Sequence, residues 1–147
     1  VDIDLDSAGP SSNQSSNPGV GPNHLQNYPV LSQATRISGS NPTITASGTL
    51  HSTPNASFRI DYYLADACDA TAAGRGRADS FLGWANVNTN GSGNALIVTT
   101  LAAPASASRN RISATATSVS GDTSEVGNCV TVNQTIVTNP IFSNGFE

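Results

Sequence analysis

The sequence predicts an all-β domain, an antiparallel β-sandwich of about seven strands. Two segments, 58–64 and 112–117, place apolar residues at every second position. This alternation is typical of strands with one face on a core and the other in water. Clusters of Gly, Pro, Asn and Ser separate the apolar segments, as tight turns require. No segment shows the apolar spacing of a helix.

The alternation and the turn residues together predict seven strands in order. They are expected at roughly 30–36, 42–51, 57–66, 80–88, 94–101, 110–118 and 128–137. Turn sequences separate them, at 38–42, 52–55, 90–94 and 120–122. A strand spacing of about 10–15 residues without a helical period indicates a sandwich of the immunoglobulin type.

The strands divide the chain into three regions. Residues 1–29 begin with Val-Asp-Ile-Asp-Leu-Asp, an extended strand, and continue as a Ser/Asn/Gly/Pro-rich linker with too little apolar surface to fold alone. Residues 30–137 form the sandwich, and 138–147 are a C-terminal extension. The 147 residues suffice for one domain with a core. Because Val1 is not a start residue, we expect a processed product of a longer precursor.

The composition argues against two classes of partner. Charged residues make up 11% of the chain, with six Lys and Arg against ten acidic residues and a net charge of −4. Such a chain has no basic patch for nucleic acid or anionic lipid. No apolar segment approaches the roughly 20 residues of a membrane helix. We therefore expect neither nucleic-acid binding nor membrane insertion.

The two cysteines indicate the cellular compartment. Cys68 follows the third strand and Cys129 begins the last, so a bond between them would join two distant strands. We expect this disulfide, and a secreted or cell-surface location, because low-charge Thr/Ser/Asn-rich β-chains are of the secreted type. A pair of buried thiols is the alternative. The two cysteines, His24 and His51 lack zinc-site spacing, and no cofactor is predicted.

Several segments resemble a known module. They are 21–31, 44–50, 58–63, 66–69, 81–83, 112–117 and 123–125. They resemble the bacterial immunoglobulin-like module of large secreted surface proteins, the type that follows a right-handed β-helix. The resemblance covers residues 1 to about 132 and implies a structural or adhesive role, with 1–6 corresponding to the last rung of the β-helix. The closing Ile-Phe-Ser-Asn-Gly-Phe-Glu is similar to a C-terminal sequence of many secreted proteobacterial proteins.

One motif suggests a metal. Asp2, Asp4 and Asp6 alternate carboxylates as the first half of a calcium loop does. The twelfth loop position is Asn13, where a bidentate Glu would be expected. The resemblance also implies an Asp in the loop after the sixth strand, where this chain has Ser118. We therefore predict no metal site and interpret the acidic residues as a solvated strand face, with calcium as the alternative.

The sequence does not predict an enzyme. His24 lies in the linker and His51 near a turn, without the Gly-x-Ser-x-Gly turn of a serine nucleophile. Asp61 and Asp66 could supply two carboxylates for glycoside hydrolysis, but Asp61 falls on the polar face of a strand and no cleft follows.

Two aromatic residues are candidate glycan contacts. Tyr63 and Trp84 would form a sugar-stacking platform if both were exposed and adjacent, since flat aromatic faces bury the apolar side of a pyranose. We expect instead that Trp84 is a core residue, and the platform is the alternative.

Three functions compete. The favoured one is a structural module that self-associates through its terminal segments into a surface fibre or filament. Val1, Ile3 and Leu5 would seat their side chains beside an exposed sheet edge. The alternatives are a carbohydrate-binding or adhesion module and a passive spacer of a large bacterial surface protein. The expected partners are other copies of the chain or neighbouring domains and, under the second function, glycans.

Overall fold

Seven β-strands and one short 3₁₀ turn, Pro22–Leu25, are found in the part of the chain that the structure describes, residues 2–5, 9–15, 17–72 and 74–136 of a computed structural model. The strands are β1 Val30–Ile37, β2 Thr43–His51, β3 Ser57–Ala65, β4 Ser80–Asn88, β5 Asn94–Ala102, β6 Arg111–Ser118 and β7 Val130–Thr135. Each begins within two residues of its predicted start. The all-β prediction and its strands are confirmed.

The strands join into one mixed sheet in the order β4-β3-β6-β7-β1-β2-β5. Every pairing is antiparallel except that of β1 and β7, where Ala34–Ile37 run parallel to Val132–Thr135. The predicted purely antiparallel sandwich was wrong in this respect. β7 pairs with β6 at its start and with β1 further along, so it links the two halves into one nearly closed, barrel-like sheet.

The core lies between the inner faces of the two halves. β3 contributes every second residue, as its alternation predicts: Phe58, Ile60, Tyr62 and Leu64 are all buried. Across the core, Leu31, Ile44 and Ile97 face them from β1, β2 and β5. The Tyr62 hydroxyl donates a hydrogen bond to Thr99 Oγ1 (2.8 Å), and burial raises the pKa of Tyr62.

Strand β6 is buried on both faces because two loop segments cover its outer side. Gly76 donates its N–H to the carbonyl of Gly127 (2.8 Å), and Gly127 donates to the carbonyl of Ala114 on β6 (2.9 Å). A Cβ at position 76 would lie 2.1 Å from that of Ser113, so only glycine fits there. These two segments, residues 74–77 and 123–127, lie side by side, and we call them the cover of β6.

The predicted disulfide is confirmed. Cys68, just after β3, is bonded to Cys129, just before β7, with a Cα–Cα distance of 5.7 Å. The Cys129 N–H also donates to the carbonyl of Gly74 (2.9 Å). The disulfide therefore joins the end of β3 to the start of β7, and the hydrogen bond connects Cys129 to the cover of β6.

Replacing both cysteines, as Cys68→Ala with Cys129→Ala, should lower the free energy of unfolding by about 4 kcal/mol. The reason is that the bond closes a loop spanning 61 residues of the unfolded chain. Urea titration of wild type and variant measures the difference. Two titratable thiols in the unfolded, unreduced wild type would contradict the bond itself.

Candidate functional site

Two features of the described residues bear on function. One is the set of side chains that holds the N-terminal segment, residues 2–5, 9–15 and 17–29, on the domain. The other is the outer face of β3 and β4, where the predicted aromatic contacts lie. The composition of the N-terminal segment predicts a loose linker, so its attachment needs a physical explanation.

Glu125 is the central residue of this attachment. We call Glu125 and Arg75 together the Glu125 seat. The Glu125 carboxylate is buried, yet it accepts hydrogen bonds from the N–H groups of Leu5 (3.2 Å) and Ser11 (2.9 Å). Its neighbour Ser124 fixes its position, because the Ser124 N–H and hydroxyl both pair with the backbone of Ala116 on β6 (2.9 Å each). A loop anchored on β6 therefore binds two backbone donors of a segment more than 110 residues away.

Arg75, in the cover segment 74–77, is the second residue of the Glu125 seat. Its guanidinium lies 3.2 Å from the Glu125 carboxylate and also donates to the carbonyls of Ser11 and Val126. The same group lies 4.0 Å above the centre of the Tyr28 ring, in cation–π contact. Both charges of this buried pair therefore have several hydrogen-bond partners, which is the condition under which such a pair is tolerated.

Within the N-terminal segment, asparagine side chains imitate strand pairing and fold the segment back on itself. Asn13 uses its amide to exchange two hydrogen bonds with the backbone of Tyr28 (both 2.9 Å). Asn27 does the same with the backbone of Gln14 (2.6 and 2.8 Å). An amide side chain carries one acceptor and a donor group, as a peptide unit does. Asn27 Nδ2 also donates to the carbonyl of His51 on β2 (2.8 Å), so the folded segment is held by its own domain.

The three residues of the predicted assembly strand lie in different environments. Leu5 is buried in its own chain at 7% exposure, Ile3 is half-buried, and Val1 lies outside the described residues. Residues 2–5 belong to no strand of the sheet. The assembly role stays a prediction, but Leu5 already has a place within the chain.

The acidic motif is spread over different environments. Asp2 accepts a hydrogen bond from the N–H of Ala78 (2.5 Å), Asp4 is exposed, and Asp6 lies outside the described residues. Among the residues the structure describes, no three His, Cys, Asp or Glu side chains form a group that could hold a metal ion. Calcium binding stays a question for experiment.

The outer face of β3 and β4 brings the two predicted aromatic residues together on neighbouring strands. Trp84 is paired in register with Asp61, and Tyr63 with Phe81. Trp84 is 50% exposed, so the expectation that it is a core residue was wrong. Tyr63 and Phe81 form an edge-to-face pair with ring centres 5.9 Å apart. Sequence analysis missed Phe81 and Arg59, whose guanidinium lies 4.7 Å from the Trp84 ring centre.

The histidines considered for catalysis lie in separate places. His24 Nδ1 is 3.0 Å from Asp122, and this hydrogen bond lowers the pKa of the Asp122 carboxyl. His51 contacts the side chain of Asn94 (2.9 Å) and the carbonyl of Ser15 (3.2 Å). Neither histidine has a serine hydroxyl among its hydrogen-bond partners in the described part of the chain.

The two carboxylates considered for glycoside hydrolysis pair with different arginines. Asp61 pairs with Arg59 at 2.8 Å, whereas the exposed Asp66 lies 3.7 Å from Arg109.

Comparison with known proteins gives no family for this chain: no family model matches it, and no curated protein matches it. Among the described residues, no helix is long and apolar enough to cross a membrane.

The substitution Glu125→Gln should release the N-terminal segment and lower the free energy of unfolding by about 3–5 kcal/mol. It leaves Arg75 buried without a counter-charge. Thermal unfolding and thermolysin cleavage within residues 9–29 measure the two effects. As a control, Asp79→Asn breaks the exposed Arg77–Asp79 pair and should cost at most about 1 kcal/mol without new cleavage. Equal behaviour of the two variants would contradict the role of the seat.

A chelator should change the melting temperature very little, since the acidic residues do not form a full ligand set. Calorimetry with and without EDTA is the measurement. A fall of about 10 °C that calcium reverses would show instead that metal binding stabilises the native state.

Proposed function

We propose that this chain is a non-enzymatic, extracellular structural module, an immunoglobulin-like domain that serves as a spacer with its N-terminal segment fastened to its own body. The observation that carries the proposal is the Glu125 seat. It uses backbone donors of Leu5 and Ser11 and buries the Leu5 side chain within the chain. A segment held in this way extends the rigid body of the domain.

The strand order supports the immunoglobulin-like part of the proposal. β1, β2 and β5 are neighbours in one half, and β4, β3, β6 and β7 in the other. In seven-strand immunoglobulin domains the second strand likewise lies beside the fifth, and the third beside the sixth. The contact of β7 with β1 then closes one side between two sheets that pack face to face. The nearly closed shape is consistent with such a sandwich joined along one side.

Two observations support an extracellular location. The Cys68–Cys129 disulfide is of the kind that persists in oxidising compartments. The chain is rich in Ser, Thr and Asn and poor in charge, a composition that fits a secreted β-domain. A spacer in a bacterial surface protein, with neighbouring domains as its partners, fits both.

Self-association is the second candidate, and strand β5 favours it. β5 is an edge strand that pairs with β2 over nine consecutive residues without a bulge. It contains no charged residue and no proline, and Leu96 and Val98 are 76% and 65% exposed. Natural edge strands are usually protected by charged residues or proline, and β5 has neither, although β4 comes close to it along this edge. Association through β5 would leave the N-terminal segment in its seat.

The spacer proposal predicts a monomer at high concentration. Replacing Ile3 and Leu5 by Asp should lower the melting temperature, because a buried leucine side chain contributes about 1.5–3 kcal/mol, and should leave the mass unchanged. Sedimentation velocity and calorimetry measure mass and stability.

A matched variant, Leu96→Lys with Val98→Lys, distinguishes the ways of associating. Oligomers of the wild type that the Asp variant abolishes would establish donation of the N-terminal strand. Oligomers that only the Lys variant abolishes would establish pairing through β5. Either result would overturn the spacer proposal.

A further inference from the structure

The outer face of β3 and β4 has an aromatic end followed by an uncharged polar end. Along β4 the outward residues are Phe81, Trp84, Asn86 and Asn88, all exposed. Their register partners on β3 are Tyr63, Asp61, Arg59 and Ser57. We call this double row the aromatic–amide face.

Neighbouring side chains hold the rings of the aromatic end. The Arg59 guanidinium lies against Trp84, and the Tyr63–Phe81 pair is inclined at 65°. Half of the Trp84 surface nevertheless remains open to solvent. An aromatic side chain that is fixed before binding loses little conformational entropy when a ligand stacks on it.

The polar end borders a shallow depression. Its lining includes the amides of Asn86 and Asn88 and the hydroxyls of Ser57, Thr117 and Ser118. The Ser57 hydroxyl donates to the side-chain Oδ1 of Asn88 (2.5 Å), which holds that amide in place. Asn86 has no side-chain hydrogen bond to any residue that the structure describes, so both its donor and its acceptor can serve a ligand.

The charges of this face cancel. Arg59 makes two contacts with one oxygen of Asp61, from Nε at 2.9 Å and from Nη2 at 2.8 Å. The rest of the double row is uncharged. An acidic ligand would find no free cation here, whereas hydroxyl groups find amide and hydroxyl partners. The face is therefore complementary to a neutral, amphipathic ligand.

We propose that the aromatic–amide face binds a neutral oligosaccharide, a role beyond that of a spacer. One pyranose ring stacks its apolar C–H face on Trp84, and hydroxyls of the adjoining sugar unit hydrogen-bond to Asn86 and to groups of the depression. The row from Trp84 to Asn88 is about 14 Å long at the usual strand rise, longer than one sugar ring. An oligomer, not a monosaccharide, fits this length.

The fluorescence of Trp84 tests the proposal directly, because it is the only tryptophan of the chain. The probes are maltohexaose, cellohexaose and β-1,4-mannohexaose, with hexagalacturonate as an acidic counterpart, each titrated to millimolar concentration. We expect at least one neutral oligomer to shift the emission with a saturable curve, and hexagalacturonate to leave it unchanged.

Calorimetric titration of variants then locates the binding site. Trp84→Ala should weaken binding about tenfold or more because the stacking surface is lost, and Asn86→Ala should weaken it several-fold. Leu96→Ala removes an exposed apolar side chain of β5 that is outside the double row, and it should bind as the wild type does. A melting curve and a thiol titration confirm that each variant is folded.

Three results would overturn the proposal, and none of them needs a variant. They are the absence of any response to the three neutral oligomers and a response to hexagalacturonate alone. The third is a Trp84 emission that shifts as the protein concentration rises, together with a doubling of the sedimenting mass. That result would assign the face to a contact between two copies of the chain.

Discussion

The buried pair of Glu125 and Arg75 is the interaction on which the shape of this molecule depends. A carboxylate taken out of water is costly unless charge and hydrogen bonds compensate for it. Here the compensation comes from two separate parts of the chain: Arg75 in the cover of β6, and the backbone of Leu5 and Ser11 in the N-terminal segment. Cover and segment are therefore mutually dependent, and the N–H of Cys129, just before β7, donates to the carbonyl of Gly74 in the cover.

Scarcity of charge determines how the rest of the surface is built. Three asparagines use their amides as substitutes for a strand neighbour: Asn13 with Tyr28, Asn27 with Gln14, and Asn128 with Leu31. Each satisfies backbone groups that would otherwise be unpaired where regular pairing stops. The aromatic–amide face shares no residue with the Glu125 seat. A structural role and a binding role can therefore be altered separately in this fold.

The sequence predicts the strands and the disulfide because both depend on local signals. Alternation of period two identifies β3, and turn residues at 90–94 separate β4 from β5. The parallel pairing of β7 with β1 has no such signal, since register between distant strands is set by the packed core. Glu125 and Arg75 are 50 residues apart, and no spacing in the sequence pairs them. The exposure of Trp84 was predicted wrongly because the register of β4 shifts opposite Tyr62 and Tyr63. Simple alternation therefore does not give the face on which each β4 residue lies.

Amide hydrogen exchange on the wild-type protein, followed residue by residue by NMR, tests the central claim most directly. If the N-terminal segment is fastened through Glu125, the amides of Leu5 and Ser11 are protected by the bonds they donate to that carboxylate. The exposed amide of Gly39, at a turn between β1 and β2, supplies the unprotected reference. Exchange of Leu5 and Ser11 at the rate of that reference would contradict the account.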